Sequence, residues 1–279
     1  MHPPQLGEIN PAIEMSLTAI TGAWLLGFII WVALQPRKNR PLYALLVGAN
    51  FIATFQEPIV EVLNKVQFHP IELTVYDVAE FGRGEPLWVF LYLCAVPSTL
   101  GAMAIKLMHR PRAVRKLWVA LAAIVLIEFV SEIVMAHFGA FKYYGSQPLE
   151  VLGAPIPWAF IYVTTYLGTG LILYHFDRNV SGIRRLAFLI MGASLMLGAE
   201  GFMGWPVFWG MVMELPLLPM ALLGLLTVAI SLGTFATLIK YTVPAERPRT
   251  GTATHQSTSP GKADLDVGHQ VPSPPPPLP

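Results

Sequence analysis

Two pairs of acids stand out in otherwise apolar sequence: Glu57 and Glu61 in FQEPIVEVLN, and Glu128 and Glu132 in IEFVSEIVMAHFG. Each pair is spaced four residues apart, which puts both members on one face of a helix. A fifth acid, Glu200, lies in MLGAEGFMGWP. Carboxyls gathered in this way are suited to general acid–base chemistry, one delivering a proton while an ionised neighbour accepts another. The spacing does not suit metal: a carboxylate-bridged two-metal site in a helical bundle uses Glu-x-x-His pairs. Here His137 follows Glu132 by five residues and points off that face. The chain has no glycine-rich nucleotide loop, CxxC, HExxH or GxSxG. Its single Cys94 reads as a small apolar packing residue.

The elements that must hold these acids are membrane helices. Of the 279 residues, 54% are hydrophobic and only 13% charged, and the apolar residues come in blocks rather than alternating, the pattern of an integral membrane protein. A bilayer core of ~30 Å needs about 20 apolar helical residues, because only there does the backbone satisfy its own hydrogen bonds without water. Seven segments qualify: residues 16–34, 42–63, 86–107, 117–138, 156–176, 186–203 and 217–241. The reading is an all-α integral membrane protein, with a seven-helix domain over 1–243 and a disordered Pro/Ser/Thr-rich tail over 244–279. The first helix has no preceding Lys or Arg and too long an apolar run for a signal core, so it is expected to remain in the mature chain.

Charge sets the expected orientation. Arg37, Lys38 and Arg40 follow helix one, Arg110, Arg112, Arg115 and Lys116 follow helix three, and Arg178, Arg184 and Arg185 follow helix five. The other connections hold only Lys65, Arg83 and Lys142, which places the N-terminus outside and the C-terminus inside. A multi-pass plasma-membrane protein is expected, with membrane lipids around it. The net charge of +1 argues against nucleic acid as a partner, and the odd helix count disfavours a transporter built of two equal inverted halves. The closing PPPP run could dock an aromatic groove, but a solvated spacer is the simpler reading.

An acid facing lipid at a helix centre costs about 2.5–3.5 kcal/mol, so four or five of them must face each other or a wet cavity. Nearly every Lys and Arg sits in a loop, and like charges sharing a site cannot all ionise, so the cluster is expected to hold at least one proton. The topology puts Glu57, Glu61 and Glu132 in the outer half and Glu128 near the middle. Glu200 lies at a similar outer depth, or opens a loop if helix six ends early. The outer loops add His69, Glu72, Tyr76, Asp77, Glu80 and Glu85, then Tyr143 and Tyr144. Tyrosines at this depth read as an interfacial belt and His69 as a loop residue.

FQEP followed by Asn64, then GEPLWVFLY leading into a basic loop, then EFVSEIVMAHFGAFKYYG and Pro157 resemble the AveC-like spirocyclase family, named for the membrane cyclase of avermectin biosynthesis. The resemblance covers residues 48 to about 178, roughly half the chain. Gln56, Glu57 and Asn64 match the family's first motif, Glu85 and Pro86 its second, Glu128 and Glu132 its acid pair, and Tyr144 and Gly145 its aromatic loop. Glu57 and Glu128 stand where the family has Asp, Glu61 where it has Asn, and Phe160 replaces its acid after Pro157. The resemblance implies conversion of a lipophilic dihydroxy-ketone polyketide into a spiroketal, with no metal or organic cofactor. Glu128 and Glu132 would be the acid/base pair, Glu57 and Glu61 would complete the chamber, and Gln56, Asn64, Tyr144 and Glu85 would contact substrate. Two rivals share the pattern: a membrane terpene cyclase initiated by protonation, and a carrier whose acids relay protons or bind a solute.

Overall fold

A computed structural model describes residues 6, 9–69, 73–78 and 83–244. The tail after residue 244, and Glu72 and Glu80 of the second connection, lie outside the described residues. Among the described residues, seven helical segments are long and apolar enough to cross a membrane, the architecture of a multi-pass membrane protein. They are α1 (Pro11–Leu34), α2 (Arg40–Ala53) continued by α3 (Glu57–Asn64), α4 (Leu87–Met108), α5 (Ala113–His137), α6 (Ile156–Asn179), α7 (Ala187–Val212) and α8 (Leu217–Thr242). Several carry large apolar side chains on their outer faces, among them Ile20, Leu26 and Ile30 of α1 and Leu126, Ile127 and Val130 of α5. Such faces suit acyl chains, not water.

The expected second helix is not continuous. It breaks at a 3-10 turn, Thr54–Gln56, just ahead of Pro58. Proline has no N–H, so the carbonyl four residues back, that of Thr54, loses its α-helical donor. That carbonyl accepts instead from the Glu57 N–H and from the Tyr76 hydroxyl at 3.3 Å. The break turns Gln56 and Glu57 into a helix start. α3 ends at Lys65, whose φ of 49° is the left-handed cap that swings the chain out of the bundle.

The expected sixth helix is longer than residues 186–203. α7 continues through Pro206 to Val212 because GWPVFWGMV stays apolar and a single missing N–H does not stop a packed helix. Glu200 therefore lies within a helix and opens no loop.

α6 is the central helix, with Trp158, Val163, Leu167 and Leu171 fully enclosed. Its approach to α4 is set by Gly101 and Gly170. A Cβ built on Gly170 would stand 2.6 Å from the Gly101 Cα, so Gly170 does not tolerate a side chain at this spacing.

One end of the bundle gathers Arg37, Lys38, Arg40, Arg110 and Arg112 in its connections; the other carries, among the described residues, six short strands that the all-α reading did not include. β1 (Val66–Phe68) pairs antiparallel with β4 (Phe141–Tyr143), Phe68 opposite Phe141; β2 (Thr74–Val78) pairs with β3 (Arg83–Pro86), and β5 (Glu150–Val151) with β6 (Ala154–Pro155). Backbone leaving a helix at this depth must find hydrogen bonds within the protein, and these ladders supply them between loops. The hairpin β2–β3 is tied down further: the Leu73 N–H donates to buried Glu14 of α1 at 2.8 Å.

Candidate functional site

At the strand-bearing end, α2–α3, α4, α5, α6 and α7 surround a cavity of about 80 Å³, closed in part by β1 and β4. Four carboxyls line it: Glu57 at the start of α3, Glu128 and Glu132 one turn apart on α5, and Glu200 on α7. Four phenols join them, from Tyr92 of α4, Tyr143 of β4, and Tyr162 and Tyr166 of α6. No Lys, Arg or His is among the lining residues. The remaining wall is largely apolar, with Val60, Phe68, Val89, Phe141 and Met196.

The hydrogen bonds divide the two α5 acids. The Tyr92 hydroxyl donates to Glu128, 2.8 Å from Oε1 and 2.9 Å from Oε2. The Tyr143 hydroxyl reaches Glu132 Oε1 at 3.3 Å, while Glu132 Oε2 is buried without a protein partner. One oxygen of Glu132 is thus a buried acceptor that the described protein groups leave unsatisfied. Burial, and next the Glu132 charge, pushes the Tyr143 phenol well above its ordinary range, so it stays a proton donor.

Sequence-predicted residues divide between the wall and the layer behind it. Gln56, Glu57, Glu128 and Glu132 reach the cavity. Asn64 sits behind it and donates to the Tyr162 hydroxyl at 2.7 Å, while its own carbonyl accepts from Gln147. Glu61 and Glu85, both fully enclosed, lie against each other beside the cavity. Four residues along a helix advance ~6 Å, which carries Glu61 past Glu57 to the level of β3. Tyr144 does not line the cavity; Tyr143 does. Alternation along β4 explains the exchange: Phe141 and Tyr143 share one face, and the next residue turns away. Tyr144 instead gives its backbone N–H to the Lys65 carbonyl. His69 is outside the lining set, its N–H held by the Ala140 carbonyl. Among the described residues, no three His, Cys, Asp or Glu side chains are grouped to hold a metal ion.

Tyr92, Tyr162, Tyr166, Trp88 and Asn50 were not foreseen. For Tyr162 and Tyr166 a signal existed: they repeat the four-residue spacing of the acid pairs, and their rings stack at 6.2 Å. Tyr92 and Asn50 had no such mark.

Burial, then the Glu61 carboxyl beside it, raises Glu85 from an ordinary 4.5 to about 9. Two carboxyls in contact need a proton between them. Since Glu85 binds its proton more tightly folded than unfolded, its contribution to stability is complete below pH 4.5, declines above it and is lost as pH rises through about 9. The prediction is that the unfolding temperature of the purified protein falls as pH rises from 4.5 to about 9, and that Glu85→Gln flattens this fall. An unchanged slope in the variant would assign the loss to other groups.

A scan against family models and searches of curated proteins and of solved structures find no match to this chain.

Proposed function

We propose that the chain is a membrane-embedded cyclase that works without a cofactor on a lipophilic biosynthetic intermediate, by acid/base chemistry of the kind carried out by the spirocyclases it resembles. The observation that carries this reading is the pairing on α5: Glu128 held by Tyr92, and Glu132 one turn on, on the same cavity wall, with one buried oxygen that no described protein group satisfies. Enclosing four carboxyls with no lining cation is costly, and proton transfer gives that cost a use.

For a dihydroxy ketone the steps balance within the site. One hydroxyl adds to the ketone carbon; Glu128 takes its proton and Glu132 gives one to the carbonyl oxygen, forming a hemiketal. The hemiketal hydroxyl then receives a proton and leaves as water, the second hydroxyl bonds to the same carbon, and its proton returns to the pair. Both bonds of the ketone C=O are lost, the π bond as the hemiketal forms and the C–O bond as water leaves; two new C–O bonds replace them, and one water is released. The apolar wall limits competing water. The cavity seats the reacting carbon and its oxygens, with the apolar body of the substrate extending past the lining side chains.

The basic end faces the cytoplasm by the distribution of Arg and Lys, which puts the N-terminus and the cavity toward the outer side of the plasma membrane. A lipophilic substrate then arrives laterally from the bilayer. A carrier needs a polar path to the other end, yet the core on that side is packed with Leu121, Val163, Leu167, Leu171 and Phe235.

Tyr92→Phe removes one hydroxyl and leaves the ring. The expected result is a turnover reduced by about 10-fold, the net worth of one hydrogen bond to a charged group, with unchanged expression. Full activity in Tyr92→Phe would show that Glu128 needs no positioning. The test of the cyclase is whether deleting its gene makes the producing strain accumulate a precursor heavier than the product by one water; an unchanged metabolite profile would contradict it.

A further inference from the structure

A second concavity lies on the flank of the bundle, between α1 and α4, away from the carboxyl site. It measures about 420 Å³ and is walled by Phe28, Trp31, Ala102 and Met103, with Lys106 and Arg110 at one end. None of its lining residues is acidic. Thr99 marks the opposite end, just past the middle of the 22-residue α4. From Thr99 to Lys106 the helix advances ~10 Å, so the cleft runs from near the bilayer midplane to the level of the headgroups.

The two ends differ in chemistry. The end near the midplane is apolar, apart from a Thr99 hydroxyl that accepts from the Trp24 indole and donates to the Ala95 carbonyl. At the basic end the Lys106 ammonium stands 4.2 Å from the centre of the Trp31 ring, which positions it without neutralising it. Lys106 and Arg110 are both exposed.

We propose that this cleft is a binding site for an anionic phospholipid, one acyl chain lying along Phe28, Ala102 and Met103 and the phosphate held by Lys106 and Arg110. An apolar groove on a bilayer-facing surface is covered by acyl chains whatever the lipid. The paired cations select among lipids, because a zwitterionic headgroup brings no net charge to meet them. Each cation near an anionic headgroup contributes on the order of 1 kcal/mol, so two together give a preference of roughly 10-fold or more. A free phosphate has no chain to fill the groove. This inference is independent of the reaction proposed above.

The test is native mass spectrometry of the full chain released from bilayer discs of equal phosphatidylglycerol and phosphatidylcholine. The expected result is one retained phospholipid per chain with about 10-fold enrichment of phosphatidylglycerol. Lys106→Gln with Arg110→Gln should abolish the enrichment, and Met103→Trp, which fills the groove and keeps both charges, should lower retention. Arg115→Gln with Lys116→Gln, a pair removed from the same end but outside the cleft, should leave both unchanged. Equal retention of the two lipids by the unaltered chain would overturn the proposal without any variant. Loss of enrichment in the Arg115/Lys116 control equal to that in Lys106/Arg110 would also overturn it, since the attraction would then belong to the whole basic end.

Discussion

Glu128→Gln and Glu132→Gln are each expected to lower turnover by about 10²–10⁴-fold, the usual worth of a positioned general acid or base, while the protein still inserts and folds. The amide keeps the size of the side chain and can still accept a hydrogen bond from Tyr92 or Tyr143, but it cannot carry the proton. Folding is expected to survive because the substitution removes a buried ionisable group from a site with no lining cation, so no partner charge is stranded. The double variant should be little worse than either single one, since two groups that pass one proton act as a unit. Glu57→Gln and Glu200→Gln, on the cavity wall but off α5, should cost less, and Glu61→Gln, which lies beside Glu85 and not on the wall, least of all. The check is product formed per folded protein, with detergent-solubilised yield measured alongside. Equal losses at Glu61 and Glu128 would show that the cavity geometry does not rank the acids.

Gly170→Val is expected to be the most destabilising single change in the helical core. Overpacking a core costs ~1–3 kcal/mol when side chains can yield. Here the obstructing atoms are the Gly101 carbonyl and Cα, which move only if α4 and α6 separate. Separation would loosen the Leu46–Gly101 contact on one side and displace Tyr92 and Tyr166 on the other, so structure and site should fail together. A loss above ~3 kcal/mol is expected, measured as reduced monodisperse protein and a lowered unfolding temperature. Gly233→Val is the matched control: it lies within α8, on its exposed side, and a Cβ there meets nothing within 4 Å. Similar behaviour of the two variants would remove the close α4–α6 approach from the account.

Which parts of this arrangement can be read from the chain follows from the range of the forces involved. Hydropathy is local and strong, so all seven crossings are visible, with ends within a few residues except where proline misleads. The sixth segment reads as ending at residue 203, yet α7 carries Pro206 inside and runs on to Val212, because a packed membrane helix has no water to end in. Pro58 looked like part of a smooth span, yet breaks it into α2 and α3. The acid pairs were legible because four-residue spacing and charge in an apolar run are both sequence properties. Tyr92 was not, since a lone phenol within a span is equally an interfacial anchor or a cavity wall, and only the packing of α4 against α5 decides. Tyr143 closes β4 and Tyr144 follows it by one position, and β4 is defined by its pairing with β1 some 75 residues away. The contact of Glu85 with Glu61 depends on the same kind of long-range folding of the β2–β3 hairpin.

The most direct test of the acid-pair cyclase is mass-spectrometric comparison of metabolites from the producing strain with the gene deleted, restored, and restored with Glu128→Gln and Glu132→Gln together. The expected result is a precursor, heavier than the product by one water, that accumulates on deletion and disappears only when the intact gene returns. An unchanged profile on deletion, or full rescue by the double variant, would contradict the account.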